Sequence, residues 1–296
     1  MIARTRPAGT PIAETELILR EDGSLYHLGI HPEQLAHKVI IVGDPERVPV
    51  ISQLFDQVEH RVYNREFVVH TGRIGSRSIS VVSSGIGVDN IDIVLNELDA
   101  AVNVDLSNRT PKSSLTSLEI VRIGTSGAVH ADIDPGSFVA STFAFALDGV
   151  PHSYDMTASA EETELRSALQ SAFPHLAALP SLYVAGCDSE LLARIGTSMI
   201  TGITATANGF YGPQGRSVRL FSRMEPMIDG YGNFRHGTQR ITNFEMECAG
   251  IYALSSMLGH KALTVCAILA NRATKEFHKN PSASMEHLIH QVIERF

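Results

Sequence analysis

The stretch Phe244–Gly250, FEMECAG, sets two carboxylates around a methionine ahead of an apolar run that continues through Ile251, Tyr252, Ala253 and Leu254. Ionised carboxylates are costly to bury without a partner or a ligand. Glu245 and Glu247 therefore either decorate a solvated helix start, where the helix dipole favours acids, or belong to a site. Residues i and i+2 point to different sides of an α-helix but share one face of an extended segment. An extended ITNFEME would let both carboxylates face one pocket.

A second cluster, VRIGTSGAV at Val121–Val129, places Arg122 inside an apolar strand and follows it with Gly124, Thr125, Ser126 and Gly127. Arginine stays charged, so within a buried strand it calls for an anion. Phosphate suits the guanidinium fork and the backbone N–H groups that small turn residues expose. An arginine–carboxylate ion pair explains the segment equally well. GDPERV repeats the theme with Gly43 and Arg47 directly after a strand, and REF adds Arg65. The loop NGFYGPQGR carries Phe210, Tyr211, Gln214 and Arg216: rings that stack on planar groups, an amide that donates and accepts, and a guanidinium that only donates. That set suits a flat heterocycle with carbonyls and an N–H; an ordinary surface loop with one buried ring accounts for the same residues. SSGIGVDN, Ser83–Asn90, is a glycine turn between a strand and a helix. Its GxGxxN form, with no acidic residue at the expected distance, makes it a plain turn before a dinucleotide fingerprint. A dinucleotide-binding oxidoreductase is thus the rival from another class.

Stepping along the chain, apolar β-rich runs alternate with amphipathic windows, the pattern of an α/β domain. KVIIV at Lys38–Val42 is a buried strand whose turn GDPERV feeds a helix through Leu54. REFVVHTGRIGSRSISVVSSG reads as two strands joined at Gly75-Ser76. Ile91, Val94, Leu95, Leu98 and Val102 recur at helical spacing. Leu106–Ser117 is polar, holds a proline and reads as a loop before the strand EIVRIG. Further strands are expected at Ser137–Thr142, Ser181–Ala185 and ITGITATA, and helices at Glu161–Ala172, Glu247–Leu258 and Ser282–Phe296. Residues 1–22 read as a poorly organised leader and 23–296 as one domain.

Composition narrows the function. The 296 residues are 44% hydrophobic and 19% charged, enough to bury a sizeable core. A net charge of -8 argues against a nucleic-acid partner, which needs clustered cations. ALTVCAILA is too short to cross a bilayer, and the amino terminus lacks a signal-peptide pattern, so a cytoplasmic location with no membrane partner is expected. Cys187, Cys248 and Cys266 are widely spaced, without zinc-ligand spacing, and read as reduced core thiols.

In collinear order, YHLGI, VGDPERV, REF, GIG, RIGTSGA, GFYGPQGR, FEMECAG and ILANR resemble the nucleoside phosphorylase superfamily, and within it the uridine phosphorylases. The resemblance covers the chain from Tyr26 to its end. It implies a single α/β domain with a central mixed, partly barrel-like β-sheet flanked by helices, assembled as dimers that share active sites, often three dimers to a hexamer. It implies phosphorolysis of uridine to uracil and ribose 1-phosphate, with uridine and phosphate as small-molecule partners and no cofactor required.

Carried over onto this sequence, Gly43, Arg47, Arg122 and Thr125 resemble the phosphate cradle, and Arg65 the residue that reaches a neighbour's phosphate. His27 resembles the interface-crossing contact to the ribose 5′-hydroxyl, and Phe210, Met246 and Glu247, with Thr125, the ribose site. Ser126, Phe210, Gln214, Arg216, Ile268, Leu269 and Arg272 resemble the base site. There Glu245 is expected to orient the Gln214 and Arg216 end or to pair with Arg272. Arg122, Glu247 and Arg216 would carry catalysis. Glu66, Ile86 and Asn90 match an interfacial K⁺ site, with Asn90 where the family has serine. Ser126 stands where many bacterial members have threonine. ILANR offers Ala270 and Asn271, neither a proton-donating acid, which disfavours the purine phosphorylases and nucleosidases of the superfamily.

Overall fold

Val39–Val42 are almost fully enclosed, the burial expected of a strand covered on both faces. In the computed structural model, which describes residues 4–177 and 181–296, contacts group the chain into two compact units. One comprises the residues up to Val121 with Ser255–Lys261; the other comprises Arg122–Leu254 with Ala262–Phe296. Their boundaries fall inside elements rather than in linkers.

The first unit begins its sheet with β1 (Lys38–Val42), followed by α1 (Arg47–Ser52), β2 (Gln57–Asn64), β3 (Phe67–Ile74), β4 (Arg77–Ser83) and α2 (Val88–Asn103). Strand order is β1-β4-β3-β2. β1 runs parallel to β4 in the register Val39↔Ser80, and β3 is antiparallel to β4 and β2. The turn at Gly75 joins β3 to β4 as expected, with Gly75 at φ 58°. Strand β2 was not foreseen: its residues alternate half-buried and exposed, so QVEHRVYN shows no apolar run. The stretch expected as a loop from Leu106 includes one strand of a minimal hairpin, β5 (Val104–Asp105) with β6 (Thr110–Pro111). The leading segment is tied to that hairpin by Gly9 N–H to the Pro111 carbonyl and Ile12 N–H to the Arg109 carbonyl.

β7 (Glu119–Ala128) leads into the second unit. There follow β8 (Phe138–Ala146), α3 (Ala160–Ala172), α4 (Pro174–Ala177), β9 (Tyr183–Gly186), α5 (Ser189–Ile195), β10 (Ile200–Thr206) and α6 (Glu225–Tyr231). Then come β11 (Arg235–His236), β12 (Gln239–Glu245), α7 (Cys248–Leu258), β13 (Lys261–Asn271), β14 (Glu276–Phe277) and α8 (Pro281–Arg295). Strands follow the order β12-β10-β8-β13-β7, and β7 pairs back onto β12 through Asn243↔Ala128 and Phe244↔Gly127. Five strands thus close into a ring. β10 is parallel to β8 and β12 whereas β13 is antiparallel to β8, so the mixed, barrel-like sheet expected from the resemblance is present. Phe145, Leu169, Ile203, Tyr231 and Phe244 belong to one apolar cluster of this unit. α3 starts in a capping box: Ser159 accepts from Glu162 N–H, and the Glu162 side chain accepts from Ser159 N–H. Among the described residues no helix is long and apolar enough to cross a membrane.

Candidate active site

β12 ends at Glu245 and α7 begins at Cys248, so FEME is extended where the strand meets the helix. Both carboxylates point to one side and meet the same guanidinium. Arg122 Nη1 lies 3.2 Å from Glu245 and Nη2 contacts Glu247, with all three side chains buried. The arginine–carboxylate alternative is therefore realised. One guanidinium thus meets two carboxylates in a buried setting. Burial opposes the Arg122 charge, but Glu247 and Glu245 outweigh it and hold the guanidinium more firmly protonated than usual. Burial, against the pull of Arg122, pushes the Glu245 carboxyl up, and the Glu247 charge adds to it.

Position in the strand explains why Arg122 fits. Residues 122 and 124 share a face of β7, and a Cβ at Gly124 would lie 2.2 Å from Arg122 Nη1, so the guanidinium folds back over a glycine. Its Nη1 also reaches Cys266 Sγ at 3.5 Å, while its Nε is buried without a hydrogen-bond partner among the described residues. Thr125 is half-buried and Ser126 buried; Ser126 Oγ accepts from Asn243 Nδ2.

Glu245 has a different role from the expected one. It does not meet Gln214, Arg216 or Arg272. Its oxygens accept from Thr206 Oγ1 at 2.7 Å, Glu247 N–H at 2.8 Å and Cys248 N–H at 3.0 Å, besides Arg122. It caps α7 and braces the pair, because orphan N–H groups at a helix start seek a carboxylate. Thr206, which also accepts Ala249 N–H, had no sequence signal beyond its place at a strand end.

The base loop does converge. The tight turn Gly212–Gln214 is followed by Gly215 at φ 67°, which turns the chain so that Arg216 returns over Phe210 with its guanidinium 3.9 Å from the ring centre. Arg216 Nη1 donates to the Phe210 carbonyl and to Gln214 Oε1. That contact fixes the Gln214 amide, which is buried, while Phe210 itself is half exposed. Arg272 Nη2 donates to the Gly215 carbonyl at 3.0 Å, just ahead of Arg216. Burial and the Arg272 charge together push the Arg216 pKa down. Met246 and Leu269 are half-buried. Ile268, expected as a wall of the base pocket, is instead fully enclosed with Ala128, Ile133 and Val139, because alternate residues of β13 face opposite sides.

Asn271 decides a point of chemistry. Its Nδ2 donates to the His130 and Ile133 carbonyls, and its Oδ1 accepts Ala273 and Thr274 N–H. Every polar function of this side chain is spent on backbone. No acid stands at this position to protonate a base.

Within the first unit, Gly43 follows β1 and is packed so that a Cβ would lie 3.3 Å from the Gly85 carbonyl; Arg47 opens α1 and is half-buried. Arg65 is exposed at the tip of the β2–β3 hairpin with φ 56°, its guanidinium 5.3 Å from the Tyr26 ring. His27 Nδ1 lies 2.7 Å from Glu97, a buried partner that sequence reading missed although it interrupts the apolar face of α2. Asn90 Nδ2 points at Glu66 Oε1, 3.4 Å away, and Ile86 is exposed.

Comparison with known proteins bears on the whole arrangement. Residues 37–296 match the model of the phosphorylase superfamily. The chain is 33% identical over 266 residues to the uridine phosphorylase of Thermococcus kodakarensis, covering 88% of this chain and 82% of that protein. It is 28% identical over 261 residues to the uridine phosphorylase of Salmonella typhimurium, covering 85% and 88% respectively. A solved Trypanosoma brucei nucleoside phosphorylase, described as showing uridine phosphorylase activity, aligns with a TM-score of 0.84 at 28% identity over 94% of this chain and 98% of that one. The oxidoreductase alternative falls with these matches. Closed mixed sheet, collinear motifs and family match agree: the chain belongs to the phosphorylase superfamily.

Proposed function

We propose that this protein is a pentosyltransferase that catalyses the reversible phosphorolysis of uridine to uracil and ribose 1-phosphate. The observation that carries this reading is the base loop, where Arg216 stacks on Phe210, grips the Gln214 amide and is backed by Arg272. A uracil ring offers two carbonyls and one N–H, which an amide and a guanidinium can meet together. The spent side chain of Asn271 supports the pyrimidine over the purine reading, since purine departure is helped by an acid at the leaving ring.

In this reading phosphate attacks C1′ as the bond from C1′ to N1 breaks, and the electron pair of that bond passes to the uracil ring. Arg216 and Gln214 stabilise that developing negative charge, which is larger in the transition state than in the substrate. The sugar turns cationic, and Glu247, anchored by Arg122, is the carboxylate assigned to its 2′-hydroxyl. Phe210, Met246 and Thr125 are assigned to ribose, His27 to its 5′-hydroxyl, and Ser126, Leu269 and Arg272 to the base side. Gly43, Arg47, Arg65, Arg122 and Thr125 are assigned to phosphate, whose negative charge both attacks and offsets the sugar cation. No protein nucleophile and no metal step is needed.

The proposal extends to self-association into dimers that share active sites, and to work in the cytoplasm. An exposed Arg65 held at a hairpin tip supports a reach toward a second copy. The test is incubation of purified protein with uridine, with and without phosphate, and with inosine as the purine control. Uracil release that needs phosphate supports the proposal; turnover of inosine alone, or none at all, contradicts it.

A further inference from the structure

Glu97 projects from α2 among Val94, Leu95, Leu98 and Ala101, all enclosed, and is itself only 9% exposed. A carboxylate on the apolar face of a helix must be satisfied locally. It is met by three donors from two consecutive residues: His27 N–H at 3.0 Å, Leu28 N–H at 2.8 Å and His27 Nδ1 at 2.7 Å. From the other side, Asn64 Nδ2 donates to the Tyr26 and His27 carbonyls at 3.0 and 2.6 Å. The His27 ring also packs edge-on to Tyr26 and Phe67. The peptide and the ring of His27 are thus held by the same buried carboxylate.

Such a clamp has a chemical consequence. An ionised carboxylate can only accept, so Nδ1 must carry the proton, and in the neutral ring Nε2 is then the bare nitrogen. We propose that Glu97 is a positioning residue that fixes His27 in the Nδ1–H tautomer, so that Nε2 accepts a hydrogen bond from the nucleoside 5′-hydroxyl. This makes the 5′-hydroxyl a donor in the complex and gives the protein a preference for nucleosides that keep it over those that have lost it. The inference rests on the reading of His27 as the 5′-hydroxyl contact, within the proposed phosphorolysis.

The test compares uridine with 5′-deoxyuridine, which lacks the reporting hydroxyl, in the wild type, Glu97→Gln, His27→Ala and the double variant. Glutamine offers one acceptor oxygen to three donors and cannot hold the clamp. The expected result is a roughly tenfold loss of kcat/KM on uridine for Glu97→Gln, the size of one lost hydrogen bond to an aligned partner, carried mainly by KM. Turnover of 5′-deoxyuridine should stay within about twofold, as for substitutions remote from a contact, and the double variant should be no worse than His27→Ala. Equal losses on both substrates would mean a merely structural role and would overturn the proposal. A wild type that releases uracil from both nucleosides equally well would remove the 5′-hydroxyl contact, and the proposal with it, while leaving phosphorolysis standing; no uracil from either would remove the phosphorolysis reading. Should Glu97→Gln fail to fold, nitrogen-15 spectra of the wild-type imidazoles decide. A neutral His27 protonated at Nδ1 supports the assignment, and one protonated at Nε2 contradicts it.

Discussion

Arg122 is the residue on which the site turns, because its guanidinium meets both Glu245 and Glu247 in their buried corner. Removing it takes a cation from beside two enclosed carboxylates, so Arg122→Ala should both abolish turnover and destabilise the fold by about 3–5 kcal/mol, read by denaturant titration beside the activity assay. Arg216 separates the two effects. It lies in a half-exposed loop, and Arg216→Ala should lower kcat/KM for uridine by about 10²-fold while costing stability only about 1–2 kcal/mol through the lost bond to Gln214. Unchanged uridine kinetics would remove the base loop from the mechanism. At this scale the sequence was legible in part. The i, i+2 spacing of Glu245 and Glu247 correctly placed them on one face, because strand geometry follows from local pattern. Which cation they would meet was not legible, since Arg122 lies more than a hundred residues away and only the closed sheet brings them together. Ile268 shows the converse: an apolar residue in a site motif can equally belong to the core.

Elements set those residues in place through steric details that a single substitution can probe. On β7, Gly124 leaves the space that the Arg122 guanidinium fills. Gly124→Ala should therefore displace the guanidinium, costing about 1–3 kcal/mol through overpacking and most of the activity, whereas a tolerated alanine would show that the arginine can sit elsewhere. As a contrast, Ser159→Ala breaks the capping box of α3. It should cost about 1 kcal/mol with kcat and KM unchanged. Elements with apolar runs or helical periodicity were read correctly, among them β1, β3, β4, α2, α7 and α8. β2 and the short β5–β6 hairpin escaped because their residues alternate or pair over only two positions, leaving no run for a pattern to detect.

For the molecule as a whole, charge and acid response follow from the groups that folding encloses. Burial holds the pKa of His70 and His130 below the ordinary 6.5, against the hydrogen bond that His130 gives the Ile241 carbonyl. The unfolded chain then binds more protons, so the stability these residues contribute is present above 6.5 and is lost as pH falls through their folded values. Denaturation midpoints measured between pH 7.5 and 5 should fall, and His70→Gln should flatten part of that fall; an unchanged slope would mean that His70 titrates normally. Light scattering of the purified protein should give a dimer or a multiple of it, and a monomer that still turns over uridine would contradict shared active sites. The most direct measurement is release of uracil from uridine by the purified protein, with and without phosphate. Phosphate-dependent release, with ribose 1-phosphate formed in equal amount, is the result predicted here; release of uracil and free ribose without phosphate, or cleavage of inosine in preference to uridine, would contradict it.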